Sequence, residues 1–180
     1  MRKFDIAPAQ HPDLGEIVAL VNSAYRGDSS RAGWTTEADL LDGQRVDLGM
    51  LRDALDAGEV ILCLREGAGR PILACVTLKP DGDRVSPDVW YLGMLTVAPG
   101  LQGGGIGKAL LASAENFARE RGARRMWMSV IQVRSELIAW YERRGYRKTG
   151  ETGPFPYGNA RFGVPRRPDL SFVFLEKELT

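Results

Sequence analysis

The residues with the clearest chemical potential lie in the run Leu95-Thr96-Val97-Ala98-Pro99-Gly100-Leu101-Gln102-Gly103-Gly104-Gly105-Ile106-Gly107-Lys108. An apolar, strand-like stretch ends, a turn follows, three glycines come in a row, and a helical pattern begins at Ile106. Glycine lets the backbone adopt unusual dihedrals and approach a ligand closely. The first N–H groups of a helix lack intrahelical partners, and the helix dipole adds partial positive charge there. Together these features suit a phosphate or pyrophosphate, and Lys108 adds a positive charge nearby. A tight turn that only packs helix on sheet needs a single glycine and does not explain three. Two common phosphate motifs are excluded. A Walker A loop fails because Gln102 stands at its first glycine and Ala109 at its Ser or Thr. A G-x-G-x-x-G fingerprint meets Lys108 if begun at Gly103, and Gln102 if begun at Gly100.

The surrounding pattern predicts the elements that must position this loop. Residues 3–7 read as a strand and 13–25 as a helix with Leu14, Ile17, Val18, Val21 and Tyr25 on one face. Residues 26–35 read as a loop, and Thr35 or Thr36 as the cap of a short helix containing Glu37 and Leu40. A helix over 47–57 stops at Gly58. Strands over 60–64 and 71–78 flank Glu66-Gly67-Ala68-Gly69, a hairpin signal. Val89–Val97 is a long strand, 106–121 the clearest helix, and Arg125–Ile131 another strand. Ser135 caps a helix through Arg144, a strand starts over 146–149, residues 151–169 form a loop, and Ser171–Glu178 is the last strand. Hairpins followed by alternating strands and helices predict a mixed sheet with helices on its faces.

Composition narrows the function. A length of 180 residues with 44% hydrophobic and 26% charged residues fits one folded domain with a sizeable core. The formal net charge of +1 makes general nucleic-acid or membrane-surface binding a poor reading. The charge is uneven, −5 over residues 1–100 and +6 over 101–180, which fits a cleft for ligands of opposite charge. Two cysteines, Cys63 and Cys75, rule out a disulfide scaffold and read as small buried hydrophobes in strands. A single histidine, His11, reads as a surface residue at a helix start and leaves no Ser-His-Asp triad or His-rich metal site. Residues 89–107 carry no charge, yet their glycines, Pro99 and Gln102 argue against a membrane helix. Met1-Arg2-Lys3-Phe4-Asp5 lacks the apolar core of a signal peptide. The expectation is a cytoplasmic protein.

The pattern Gln102-x-x-Gly105-x-Gly107, after Leu95-Thr96-Val97-x-Pro99, resembles the acyl-CoA loop of the Gcn5-related N-acetyltransferases (the GNAT superfamily). Ser135-Glu136-Leu137-Ile138-Ala139-Trp140-Tyr141-Glu142-Arg143-Arg144-Gly145-Tyr146 resembles that family's N-x-x-A-x-x-F-Y-E-x-x-G-F segment, and Leu175-Glu176-Lys177-Glu178-Leu179 its closing strand. The resemblance is good over residues 89–146. It implies an α/β fold with α and β mixed: one GNAT-like domain over residues 1–180. The central sheet would be mixed and mostly antiparallel, of about six to seven strands, with helices on both faces and a splayed strand pair at the acyl-CoA site. It implies acetyl-CoA as cosubstrate, no metal, and transfer of acetyl to a primary amine by direct attack in a ternary complex. The backbone of Leu95, Thr96 and Val97 would pair with the pantetheine arm, the Leu95 N–H would face the thioester carbonyl, and Gln102, Gly103, Gly104, Gly105, Ile106, Gly107 and Lys108 would hold the pyrophosphate. Tyr141 matches the family's general acid.

Two positions depart from the family. Ser135 stands where the family has Asn, and serves here as a shorter cofactor contact and cap. Gly93 stands where many relatives carry a glutamate base, and no residue from Val89 to Val97 is acidic. The amine must be neutral to attack, so a base or water relay is required. Glu37, Asp39, Glu151, or Tyr91 holding a water are the alternatives. The acceptor site is expected from residues 26–42, with Trp34, Asp28, Glu37, Asp39 and Asp42, and from 150–168, with Phe155, Pro156, Tyr157 and Phe162. Trp34, Glu37, Tyr91 and Phe155 are the candidate substrate contacts, although Trp34 and Phe155 fit equally as anchors for long loops. An acidic, aromatic wall would suit a small cationic amine. A homodimer is left open, and the competing readings are a CoA-binding sensor without activity and a peptide N-acetyltransferase.

Overall fold

The computed structural model describes residues 3–81 and 86–180; Met1 and Arg2, part of the N-terminal reading, lie outside the described residues. The chain runs β1 (Asp5–Pro8), α1 (Leu14–Tyr25), β2 (Leu41–Asp42), α2 (Leu48–Asp56), β3 (Val60–Arg65), β4 (Ile72–Pro80), β5 (Val89–Val97), α3 (Ile106–Arg119), β6 (Arg125–Ile131), α4 (Ser135–Glu142), β7 (Arg147–Pro154), β8 (Val164–Pro165) and β9 (Ser171–Glu178). Seven strands form one sheet in the order β1-β3-β4-β5-β6-β9-β7, and β2 pairs with β8 separately. Every neighbour in the large sheet is antiparallel except β5 and β6.

Alternation along the strands divides the core between the two faces. Leu62, Leu64, Val76, Leu78, Trp90 and Leu92 pack with Leu110, Leu111, Ala114 and Ala118 of α3. Ile61, Cys63, Cys75 and Met94 turn to the other face and meet Leu14, Ile17, Val21 and Ala24 of α1. Cys63 and Cys75 are opposite each other across β3 and β4, both buried as free thiols. Burial pushes the Cys63 thiol up to about 12. His11 is exposed, its Nε2 3.0 Å from Asp56 Oδ1. The uncharged run 89–107 is β5, a turn and the start of α3.

Two irregularities in β5 shape the molecule. First, β5 and β6 share only the register pairs Val89–Arg125, Trp90–Met126 and Tyr91–Trp127, and then diverge. Second, β5 carries a bulge against β4. Thr77 faces Gly93 and Cys75 faces Thr96, so β5 fits an extra residue into the interval. Met94 takes φ 54, the left-handed region, a conformation that costs on the order of 1–3 kcal/mol for a non-glycine residue. The displaced carbonyls are satisfied by hydroxyls: Thr96 Oγ1 donates to Met94 O, and Tyr25 Oη donates to Leu95 O.

Several expected elements differ. The short helix after Thr36 is a single turn: Thr36 Oγ1 accepts from Ala38 N, and Leu40 N and Leu41 N donate to Glu37 O. The chain then straightens because Leu41 and Asp42 pair with Pro165 and Val164, a partner far away in sequence. Ser135 is the first residue of α4 rather than its cap. Arg134 N donates to Ile131 O, so the turn ends with Arg134 at the cap position, and no side chain caps the helix. The strand after Tyr146 runs on through Pro154, because β9 offers it partners up to Ser171. Loop 26–35 contains a 3-10 turn over Asp28–Ala32.

Candidate active site

The glycine cluster enters α3 as its composition requires. Gly103 and Gly105 take φ 86 and 85, with Gly105 as the left-handed cap residue. The loop is then tied down by Gln102. Its Nε2 donates to Thr35 Oγ1 at 2.8 Å and Val97 O at 3.1 Å, and its Oε1 accepts from Thr35 N at 3.2 Å. Gly33 makes room for that amide: a Cβ there would lie 2.5 Å from Gln102 Oε1. The Gln102 side chain is a clamp between loop and segment 33–35, which the sequence did not reveal.

Two cavities flank the bulge. The smaller, of about 180 Å³, is lined by Gly103, Gly105, Gly107, Lys108, Gln102 and Val97 together with Trp34, Trp140 and Arg144. The larger, of about 320 Å³, lies where β5 and β6 part, between Tyr91–Leu95 and Met128–Ile131. Leu95, Leu137 and Tyr141 line both.

The candidates sort themselves between these spaces. Glu37, Tyr91 and Phe155 line the larger cavity, as do Pro156 and Phe162. Trp34 lines the smaller one instead, its ring 6.4 Å from that of Trp140. Thr96 is buried with its hydroxyl on Met94 O, Ile106 is in the core under α3, and Gly104 and Ser135 are exposed; none of these four lines either cavity. Asp39 is on the surface with Arg31, and Glu151 is exposed on β7.

Tyr141 is buried, edge-on to Trp140 and Tyr146 at ring distances of 5.0 and 5.7 Å. Burial raises its hydroxyl well above the usual phenol range, so it stays protonated. Tyr91 Oη lies 3.2 Å from Ser129 Oγ across the fork. The Tyr91 ring also fills the space above Gly93: a Cβ there would be 2.9 Å from Tyr91 Cε1 and 3.0 Å from Thr77 Oγ1.

The wall of the larger cavity reverses the expected charge. Asp28 and Asp39 face Arg31 at the surface, and Asp42 faces Arg166. Glu37 is 6% exposed, with Oε1 on Arg26 Nη1 at 2.5 Å and Oε2 on Arg134 Nη1 at 3.0 Å. Burial alone would raise its pKa, but Arg134, Arg26 and Arg45 together hold it below the usual carboxylate value. The acidic segment therefore contributes one bound carboxylate, facing Arg26, Arg45 and Arg134. These arginines, Tyr25, Leu137 and Arg144 were not among the site residues expected from the sequence, where nothing in their local spacing separates them from solvated or core residues.

A mixed sheet forked beside a bulged strand, with a glycine-led helix at the fork, is the fold of the GNAT acetyltransferases. The chain belongs to the acetyltransferase (GNAT) family, whose family model matches residues 14–146. It is similar to streptothricin acetyltransferase of Streptomyces lavendulae, 35% identical over 107 residues, which is 54% of this chain and 57% of that protein. The matched segments span just over half the length of the curated relatives, 57% and 55%. In fold it is similar to a ribosomal-protein-alanine N-acetyltransferase from Brucella melitensis, at 24% identity and TM-score 0.68, covering 97% of this chain and 99% of that one. It is also similar in fold to a Salmonella typhimurium protein solved with its cofactor acetyl-CoA, at 16% identity and TM-score 0.66, covering 99% and 95% of the two chains.

The smaller cavity fits the anionic part of such a cofactor. Arg144 lies over the Trp140 ring at 3.6 Å and donates from Nη1 to Trp140 O, while its Nε is buried without a partner. An unmet guanidinium donor, an exposed lysine and the free N–H groups of a helix start are the donor set a pyrophosphate needs.

Proposed function

We propose that this protein moves the acetyl group of acetyl-CoA to a primary amine of a small molecule, by direct attack with both substrates bound. The observation that carries this reading is that Leu95, Leu137 and Tyr141 line both cavities. Bound in the smaller cavity, acetyl-CoA supplies an activated acetyl thioester. Gly103, Gly105, Lys108 and Arg144 are the groups that would hold its phosphates, and the backbone of Leu95 and Val97 would accept its amide arm.

The chain's own groups are suited to the transfer. Leu95, lifted out of the β4 register by the bulge, would offer its backbone N–H to the thioester oxygen. Tyr141 keeps a proton on Oη for the leaving sulfur. Tyr91 Oη and Ser129 Oγ can share a water that relays the amine's proton out to solvent. Glu37, gripped by two guanidiniums, is a poor base and holds the wall together instead. Phe155, Pro156 and Phe162 give the larger cavity an apolar side, which suits a small molecule.

Calorimetric titration tests this reading. Acetyl-CoA should bind more tightly than adenosine 3′,5′-bisphosphate, and thiol should be released when a suitable amine is added. Equal affinity for the two ligands would mean that the amide arm and thioester have no site here, and would overturn it.

A further inference from the structure

The larger cavity holds more positive charge than its own fold requires. Arg26, Arg45 and Arg134 line it, and Glu37 is the one acidic side chain among its lining residues. The buried Arg26–Glu37–Arg134 group has a structural task. Arg134 Nη2 also donates to Thr35 O, and Arg26 Nη2 to Phe162 O, so the group joins three loops. Arg45 makes no hydrogen bond within that group, although its charge also acts on Glu37. Its guanidinium lies 5.9 Å from the Tyr25 ring centre, and no carboxylate pairs with it among the described residues. Its backbone is nonetheless held in place: Asn22 Oδ1 accepts from Arg45 N at 2.7 Å and from Val46 N at 3.2 Å. A second donor is also unmet, because Arg26 Nε is buried without a partner. Burial and the neighbouring Arg45 and Arg134 make the Arg26 charge less favourable, which Glu37 only partly offsets.

Resting on the acetyltransferase reading, we propose that the amine acceptor also carries an oxyacid group, as an amino acid does, and that Arg45, backed by Arg134 and Arg26, receives it. A guanidinium offers a planar fork of donors that matches a carboxylate or a phosphorus oxyacid. Position supports the pairing. Arg45 and Arg134 lie 5.9 and 5.7 Å from the Tyr25 ring centre, and the hydroxyl of the same tyrosine is on Leu95 O. One tyrosine side chain thus separates the cationic wall from the transfer point, a span suited to a short amino-acid skeleton. A polyamine would place cations against three guanidiniums that share one carboxylate.

The test compares L-amino acids with their decarboxylated amines and with spermidine, following thiol release from acetyl-CoA. Amino acids should be preferred by about 10-fold to 100-fold in kcat/KM, the worth of a hydrogen bond to a charged group. Arg45→Gln should close that gap, Arg45→Lys should restore part of it, and acetyl-CoA affinity should not change. A readout without turnover accompanies this one: N-acetyl-L-amino acids should bind wild type by calorimetry and lose affinity in Arg45→Gln. Equal or better turnover of decarboxylated amines or spermidine overturns the proposal. So does failure of every N-acetyl-L-amino acid to bind a protein that binds acetyl-CoA. Failure to bind acetyl-CoA overturns the underlying reading, and so separates the two errors.

Discussion

The hydroxyl of Tyr25, at the end of α1, donates to the carbonyl oxygen of Leu95 in the bulge of β5. This one bond ties the first helix to the strand residue shared by both cavities. Tyr25→Phe leaves that carbonyl unmet and should cost about 1–3 kcal/mol of stability. It should also lower kcat more than it weakens acetyl-CoA binding. Thermal melts alongside steady-state kinetics check this; an unchanged kcat would show that the bulge holds its shape without the tyrosine.

Tyr141→Phe removes a proton donor and little volume. We expect kcat to fall by about 100-fold or more, with acetyl-CoA affinity by calorimetry close to wild type. Because burial raises the hydroxyl above its ordinary value of 10.0, the acid form persists beyond that pH. The wild-type rate profile should accordingly show no falling limb from this group below pH 10. A limb at an ordinary phenol position that vanishes in Tyr141→Phe would contradict the burial argument.

Gly93 and Tyr91 should be energetically coupled. Gly93→Ala places a methyl group 2.9 Å from Tyr91 Cε1 and should destabilise by about 1–3 kcal/mol. Combining it with Tyr91→Leu should recover part of that loss, as a double-mutant cycle would record. Tyr91→Phe keeps the ring and removes the hydroxyl. It should slow turnover with little effect on melting temperature, and full activity would remove Tyr91 from the proton path.

Gln102 and Gly33 form a second coupled pair. Gln102→Ala loses the clamp to Thr35 and Val97 and should weaken acetyl-CoA binding by about tenfold, one to two net hydrogen bonds. Gly33→Ala should give a similar defect by displacing the same amide. The double variant should be no worse than Gln102→Ala alone; additive losses would show that Gly33 acts through something else.

Acid should weaken the protein partly through Glu37. Its folded pKa is held below the unfolded value, so its contribution is present above the unfolded pKa and is lost as pH falls through the folded one. Glu37→Gln strands two buried guanidiniums and should cost about 3–5 kcal/mol at neutral pH. The gap between the two melting temperatures should narrow as pH is lowered. A gap independent of pH would mean that packing, not charge, is what Glu37 provides.

The strands Val89–Val97, Arg125–Ile131 and Ser171–Glu178 stand where their apolar runs place them. The glycine loop is also where its composition puts it, because strand, turn and helix signals are local. The larger cavity was harder to read. Its charge depends on Arg26 and Arg134 reaching Glu37 from separations of 11 and 97 residues, which no local pattern records. The acidic residues of segment 26–42 looked like a wall for a cation, yet most of them turn outward to arginines of their own. The single turn after Thr36 looked helical because its rival, pairing with residues 164–165, is remote.

The parting of β5 from β6 after Tyr91 leaves an open sheet edge in the middle of the molecule. On a surface, such an edge invites foreign strands and aggregation. Sunk between α3 and α4, it is reached through spaces of about 180 and 320 Å³. The gap in the sheet therefore keeps unpaired strand backbone inside the molecule, away from the rim where a second chain could pair with it.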